Sequence, residues 1–273
     1  MKTPLSYYGG KQQLARRILE LIPEHRIYCE PFLGGAAVFF AKAPSPIEVI
    51  NDTNGELINF YEVLQRDFSA LKKEIVTSLH SRKQHHHAEI IYANPDMFDR
   101  VKRAWAVWML ANGSYGHKLT GGYAYGRTGS HHGRSVANNR ARFGIDDYAG
   151  RLQEVQIENY DALKIIASRD TGDTFFYLDP PYVGSNQGHY DGYTQDDFDA
   201  LLTTLETLKG KFLLSSFRNK SLVTFSERNN WHTLEYKMAS AMTNRHKTQR
   251  NKVEVFTANY PILPPNGPQN PKS

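Results

Sequence analysis

The chain is poor in cysteine: Cys29 is the only one among 273 residues. A single thiol excludes an internal disulfide and any metal site built from several thiolates. We therefore expect Cys29 to be a small core residue buried in the fold.

Long apolar runs are also missing. The longest, residues 104–111, has eight residues, whereas a membrane-spanning helix needs about 20. The residues after Met1 lack the apolar stretch and the small-residue cleavage site of a secretory signal. The mean hydropathy of −0.56 and the 40% of hydrophobic residues are typical of a globular protein. We expect a cytoplasmic protein without a membrane partner.

Acidic residues are fewer than basic ones, and one segment has none. The 33 Lys and Arg residues against 28 Asp and Glu give a net charge of +5, which permits an anionic partner without requiring one. Residues 113–145 hold eight glycines, three histidines and five Lys or Arg residues but no acid. Their composition indicates an inserted module.

Strand-like runs alternate with helical stretches, which is typical of an α/β fold around a mostly parallel sheet. The strand-like runs are residues 27–30, 47–50, 155–157, 174–178 and 211–215. Helical periodicity covers residues 57–79, 98–111 and 194–209. The predicted division is an α/β domain from residues 1–56 and 160–260, an inserted domain from 57–159, and a flexible tail from 261–273.

The sharpest motif is Asp179-Pro180-Pro181-Tyr182, directly after a predicted strand. Two prolines end the strand and stiffen the turn, at the edge where open α/β sheets bind ligands. The Asp179 carboxylate and the Pro180 carbonyl could each accept a hydrogen from an exocyclic base amine, while Tyr182 stacks on the base. These four residues are the catalytic candidates. The alternative is an ordinary strand-terminating turn.

Three further segments fit a ligand site. Residues 30–36 form a small-residue turn between a strand and a helix, Asp52 ends the next strand, and residues 6–11 combine two glycines with Lys11. The dinucleotide fingerprint Gly-x-Gly-x-x-Gly is missing, which disfavours a nicotinamide or flavin cofactor. A packing turn and a helix-capping Asp52 are the alternatives.

Taken in order, these motifs resemble the D12-class adenine-specific DNA methyltransferases. The resemblance covers residues 7–11, 30–39, 50–54, 179–182 and 254–260. In that family the methyl donor is S-adenosylmethionine, and the resemblance implies a cofactor site of Tyr7, Lys11, Glu30, Phe32, Gly34, Asp52, Tyr160 and Asp179. Tyr7 and Lys11 would lie at the methionine end of the cofactor and Asp52 at its ribose.

The resemblance also implies the fold and the partners. The fold would be a Rossmann-like S-adenosylmethionine-dependent methyltransferase sheet, with residues 57–159 as a largely helical target-recognition domain. The substrate would be double-stranded DNA whose adenine is turned out of the helix and methylated at N6. The protein would be bacterial or phage-encoded and associated with the nucleoid, with a cognate restriction endonuclease as a further partner and no metal.

The basic segments are candidates for DNA contact. The predicted DNA-binding residues are Lys118, Arg127, Arg134, Arg140, Tyr190, Arg245 and Lys247. A solvated mobile loop and a solvated basic face are the alternative interpretations. His85, His86 and His87, like His131 and His132, are expected to be exposed polar residues and not metal ligands.

Other reactions stay open at this point. The same turn chemistry suits the N4 amine of cytosine, RNA could replace DNA, and a catalytically silent nucleic-acid-binding module would keep the basic insert. Methylation of cytosine C5 is disfavoured because it needs a nucleophilic thiolate, and Cys29 lies within a strand without a recognisable histidine partner.

Overall fold

The computed structural model describes residues 1–126, 132–183, 192–238 and 252–263. Within these ranges seven strands form one sheet in the order β3-β2-β1-β4-β5-β7-β6. Their bounds are β1 Ile27–Glu30, β2 Ile47–Asn51, β3 Gln156–Glu158, β4 Thr174–Leu178, β5 Lys211–Ser216, β6 His232–Met238 and β7 Lys252–Ala258. Strands β1 to β5 are parallel, and β7 is antiparallel to both of its neighbours. The predicted mostly parallel α/β sheet is confirmed.

Helices in the described ranges cover both faces of this sheet and fill the segment between β2 and β3. They are α1 Ala15–Leu21, α2 Ala37–Ala41, α3 Gly55–Arg66, α4 Phe68–Thr77, α5 Arg82–Ala93, α6 Arg100–Gly113, α7 His132–Phe143, α8 Tyr148–Leu152, α9 Ala162–Arg169, α10 Gln195–Glu206 and α11 Lys220–Arg228. None of them is long and apolar enough to cross a bilayer. The helix predicted over 57–79 is two helices that meet at Asp67.

Strand β4 shows how the sheet is covered on both faces. All five of its residues are buried. Phe175 and Tyr177 belong to one hydrophobic cluster, and Phe176 and Leu178 belong to another. Since successive side chains of a strand point to opposite faces, each cluster packs one face. Cys29 of β1 lies in the second cluster, fully buried, so its predicted core position is confirmed.

The helical segment α3–α8 packs around α6, the most buried helix of this part of the chain. Residues 104–113 of α6 are all buried, and α3, α4 and α5 pack against it. Side chains of α6 and of the sheet belong to the same hydrophobic cluster. The segment is therefore built onto one face of the sheet.

Two expectations about this segment need correction. The predicted boundary at residue 159 lies too far along the chain, because β3 pairs with β2 in parallel and belongs to the sheet. His85 is buried, and its Nε2 lies 2.8 Å from the Ser114 hydroxyl, so the prediction of an exposed residue was wrong. His86 and His87 are exposed.

Candidate active site

A cavity of about 930 Å³ opens at the carboxyl ends of the parallel strands. Four segments that are far apart in the sequence line it: residues 5–14, 30–38, 52–54 and 179–182. Helix and strand residues such as Ala162 and Glu254 complete the wall. The volume is at the upper end of the range of small-molecule and cofactor sites. All four predicted motifs therefore meet at one place.

Glycines shape the turn between β1 and α2. Gly34 has a φ of +48°, a conformation that disfavours residues with a Cβ. A Cβ at Gly35 would lie 2.6 Å from the Cβ of Tyr7. The turn therefore needs small residues so that Tyr7 can pack against it and line the cavity.

Asp52 joins two of the turns. Its Oδ2 accepts a hydrogen bond of 2.9 Å from the Gly34 amide, and its Oδ1 accepts one of 2.9 Å from the Asn54 amide. The cap of helix α3 is Asn54, whose side chain accepts from the amides of Glu56 and Leu57. The helix-capping alternative for Asp52 is therefore wrong, and its carboxylate lies in the cavity wall.

The Asp179 carboxylate forms an ion pair with Lys11. Lys11 Nζ lies 2.7 Å from Asp179 Oδ1, and the two side chains are 8% and 19% exposed. Burial raises the pKa of Asp179 from its usual 3.8 to about 6, with Lys11 opposing and the charge of Glu254 adding to the rise. Above about pH 6 the side chain is therefore a charged hydrogen-bond acceptor at the cavity floor.

Glu30 is a second acid of the wall whose pKa is raised. It is buried, and burial raises its pKa to about 8, while a hydrogen bond from the Tyr28 hydroxyl of 2.6 Å opposes the rise. The negative charge of Asp179 adds to the increase. At neutral pH Glu30 is therefore mostly protonated and can donate a hydrogen bond.

The Tyr182 ring is fixed by contacts at its hydroxyl and around its ring. The hydroxyl donates to Glu254 Oε1 and lies 3.3 Å from Asp179 Oδ1. The centroid of the Tyr182 ring lies 4.3 Å from the centroid of the Phe217 ring. Lys11 Nζ lies 4.8 Å from the centroid of the Tyr182 ring. The predicted stacking of Tyr182 on a base stays a prediction, but the ring is held in the cavity wall.

Glu254, Ser215 and Phe217 were not predicted as site residues. Glu254 is buried in β7 and accepts from Ser215 as well as from Tyr182. The signal in the sequence was an acid between two valines, Val253 and Val255, where burial of its charge is costly unless it has polar partners. Those partners come from β5 and from the turn after β4, so the sequence alone does not identify them.

Seven of the eight predicted cofactor residues line the cavity, and Tyr160 does not. Its side chain is 54% exposed, and its backbone NH and carbonyl bond to the side chain of Asn51. The next residues of the chain, Asp161 to Leu163, form the wall in its place.

The predicted DNA-binding residues have different surroundings. Arg134 is exposed on α7. Lys118 Nζ lies 4.7 Å from the centroid of the Tyr8 ring, next to His117 of the cavity wall. Arg140 donates to the carbonyl of Ser78 within the helical segment. Arg127, Tyr190, Arg245 and Lys247 lie outside the described residues.

The loop that carries Tyr7 is bonded to the helical segment. Asn139 Nδ2 donates to Ser6 Oγ at 2.9 Å and to Asn112 Oδ1 at 2.7 Å. Asn112 Oδ1 also accepts from the Ser6 amide at 3.3 Å. Helices α6 and α7 thus hold one wall of the cavity in place.

Comparison with known proteins finds a family model that matches most of the chain. The model of the family described as D12 class N6 adenine-specific DNA methyltransferase matches residues 7–252. Type II methyltransferase M1.LlaDCHI of Lactococcus lactis subsp. cremoris is 27% identical, over 92% of this chain and 93% of that protein. The DNA N-6-adenine-methyltransferase of Escherichia phage P1 is 28% identical over 70% of this chain but 25% of that protein. Type II methyltransferase M.MjaIII of Methanocaldococcus jannaschii is 28% identical over 73% of this chain and 75% of that protein.

Proposed function

We propose that the cavity holds both the methyl donor and the target base of a DNA methyltransferase. The premise is that the chain belongs to the D12 class of N6 adenine-specific DNA methyltransferases. The donor would be S-adenosylmethionine, and the acceptor the N6 amine of an adenine extruded from double-stranded DNA. The observation that carries the proposal is the partly buried ion pair of Lys11 with Asp179, the residue directly before the two prolines that end β4.

The donor set of the cavity fits this cofactor. S-adenosylmethionine supplies a methyl group activated by a positively charged sulfur, and it carries an ammonium group, a carboxylate and ribose hydroxyls. Carboxylates of the wall, among them Asp52 and Asp179, would bind the positively charged groups and the hydroxyls of the cofactor. The ammonium group of Lys11 would bind the carboxylate of the cofactor. Tyr7 and Phe32 provide apolar surface beside them. These residues match the mixed charge of the ligand.

At the base, Asp179 and Pro180 would act together. The N6 lone pair is delocalised into the purine ring, and accepting the two amino hydrogens at the Asp179 carboxylate and the Pro180 carbonyl would localise it on nitrogen. After transfer the nitrogen must lose one proton. Asp179, whose pKa is about 6, would accept it because it lies within hydrogen-bond reach and is charged at neutral pH.

The helical segment would bind the DNA. Lys118 and Arg134 lie on it, and its loop at residues 115–117 reaches the cavity. Arg127, Arg140, Tyr190, Arg245 and Lys247 remain predicted DNA contacts. The names of the relatives, which include modification methylases, support a cognate restriction endonuclease as a functional partner.

The proposal is tested by Asp179→Asn, which keeps the shape of the side chain and removes its charge. Transfer of label from radioactive S-adenosylmethionine to DNA should fall at least about 1,000-fold, because the group that polarises the amine and accepts its proton is lost. Asp173→Asn is the control, because Asp173 is exposed, precedes β4 at the end opposite Asp179 and does not line the cavity; it should transfer label at the wild-type rate. Wild-type activity in Asp179→Asn would refute the assigned role.

A further inference from the structure

Two bridges connect the carboxylates of Asp179 and Glu254. Lys11 Nζ lies 2.7 Å from Asp179 Oδ1 and 3.6 Å from Glu254 Oε1. The Tyr182 hydroxyl lies 3.3 Å from Asp179 Oδ1 and donates to Glu254 Oε1. Glu254 is 2% exposed, so this acid contacts the site without lying open to solvent.

The Tyr182 hydroxyl has one proton and two carboxylate acceptors within reach. It donates to Glu254, which lies closer to it than Asp179 does. A hydrogen bond to a charged acceptor is about twice as strong as one between neutral groups. Because Glu254 accepts this hydrogen bond, the carboxylate of Asp179 can accept a hydrogen bond from another donor.

We propose that Glu254 is a positioning residue for methyl transfer, which fixes the Tyr182 ring and shares Lys11 with Asp179. This inference rests on the proposed function of the cavity. Glu254 would not touch the base or the cofactor. It would act through Tyr182, because it fixes the orientation of the ring. It would also act through Lys11, because the positive charge of Lys11 is then shared between Glu254 and Asp179.

The sharing of Lys11 has an electrostatic consequence that can be measured. Among the described residues, the ionisable groups that act on Asp179 are Lys11, Glu30, Tyr177, Tyr182 and Glu254. The charge of Glu254 raises the pKa of Asp179 and that of Lys11 lowers it. Removing the charge of Glu254 leaves Lys11 less opposed, so the pKa of Asp179 should fall below its value of about 6.

The test is the pH profile of kcat in Glu254→Gln, measured with radioactive S-adenosylmethionine and DNA. We expect kcat at pH 8 to fall about 10- to 100-fold, the scale of a small misplacement of reacting groups. The acid limb should move to lower pH. The rates are taken at saturating S-adenosylmethionine, because Lys11 also lines the proposed cofactor site and its surroundings change when Glu254 loses its charge.

Matched variants separate positioning from a general loss of structure. Glu235→Gln changes an exposed acid of the neighbouring strand β6 and should leave rate and pH profile unchanged. Tyr182→Phe removes the hydroxyl that bonds to both Glu254 and Asp179. The bond from Tyr182 lowers the pKa of Asp179, so this variant should lower kcat and move the acid limb to higher pH, the direction opposite to Glu254→Gln. It also provides the readout if Glu254→Gln does not fold.

Each outcome supports or overturns one of the two proposals. A lower kcat with a displaced acid limb supports the positioning role. Wild-type kcat in Glu254→Gln, or a lower kcat with the acid limb in its original place, overturns it. Absence of any methyl transfer by the wild-type protein would instead overturn the proposed function, so the two failures are distinguishable.

Discussion

Lys11 Nζ and Asp179 Oδ1 lie 2.7 Å apart although 168 residues separate them in the chain. Lys11 belongs to the loop before α1, and Asp179 follows the central strand β4. The pair joins the N-terminal loop of the cavity to the turn with the two prolines. It also places an ammonium group beside the acid whose ionisation the proposed chemistry needs.

This pair predicts the pH dependence of the reaction. The pKa of Asp179 is raised to about 6, so the charged acceptor is present above about pH 6 and is lost as the pH falls through this value. Lys11 lowers the pKa, and Lys11→Met should therefore move the acid limb of kcat to higher pH. Initial rates from pH 5 to 9 with saturating donor measure it. An acid limb of the kcat profile that stays in place or moves to lower pH would contradict this electrostatic role of Lys11.

A second prediction concerns stability. Glu30 has a pKa of about 8 in the folded protein against 4.5 ordinarily, so between these values the folded state binds more protons than the unfolded state. Stability from this residue is present at low pH and decreases as the pH rises from about 4.5 to about 8. In Glu30→Gln this dependence should vanish. Thermal unfolding at pH 5, 6, 7 and 8 should give Tm values that fall more steeply in the wild type, and parallel curves would refute the account.

Tyr182→Ala should affect the base more than the cofactor. Stacking of a base on an aromatic side chain contributes about 1–3 kcal/mol, which corresponds to about a 5- to 150-fold loss of transfer. Calorimetric titration should find S-adenosylmethionine binding close to that of the wild type. Equal losses in cofactor binding and in transfer would rule out a role specific to the base.

The bonds of Asn139 to Ser6 and Asn112 predict that the helical segment supports cofactor binding. Asn139→Ala should weaken S-adenosylmethionine binding about fivefold, since a hydrogen bond contributes about 1 kcal/mol and the loop with Tyr7 loses its side-chain bond to α7. Asn138→Ala, an exposed neighbour on the same helix, is the matched control. Equal affinities in both variants would show that the contact does not position the loop.

The parts of the site that follow strands were predictable from local pattern. Glu30, Asp52 and Asp179 each stand at or just after the end of a buried strand, and parallel strands bring their carboxyl ends to one edge of the sheet. Strand β4 is buried on both faces, so its continuous apolar run identifies it. Its end is marked by Pro180 and Pro181.

Contacts between distant segments were not predictable in this way. Strand β6 was not predicted, because Leu234 is the only apolar residue among its first four and its pairing depends on β7. Glu254 and His85 have buried partners from other elements, and neither partner is near in sequence. Tyr160 was placed in the site from a loose resemblance, whereas the chain turns so that its neighbours line the cavity.

The central claim is that the N6 amine of adenine in DNA receives the methyl group. The most direct test is to incubate the protein with labelled S-adenosylmethionine and unmodified double-stranded DNA, digest the DNA to nucleosides, and identify the labelled product by chromatography and mass spectrometry. We predict label in N6-methyladenine alone, and none when Asp179→Asn replaces the wild type. Label in N4-methylcytosine, or no label in DNA, would contradict the claim.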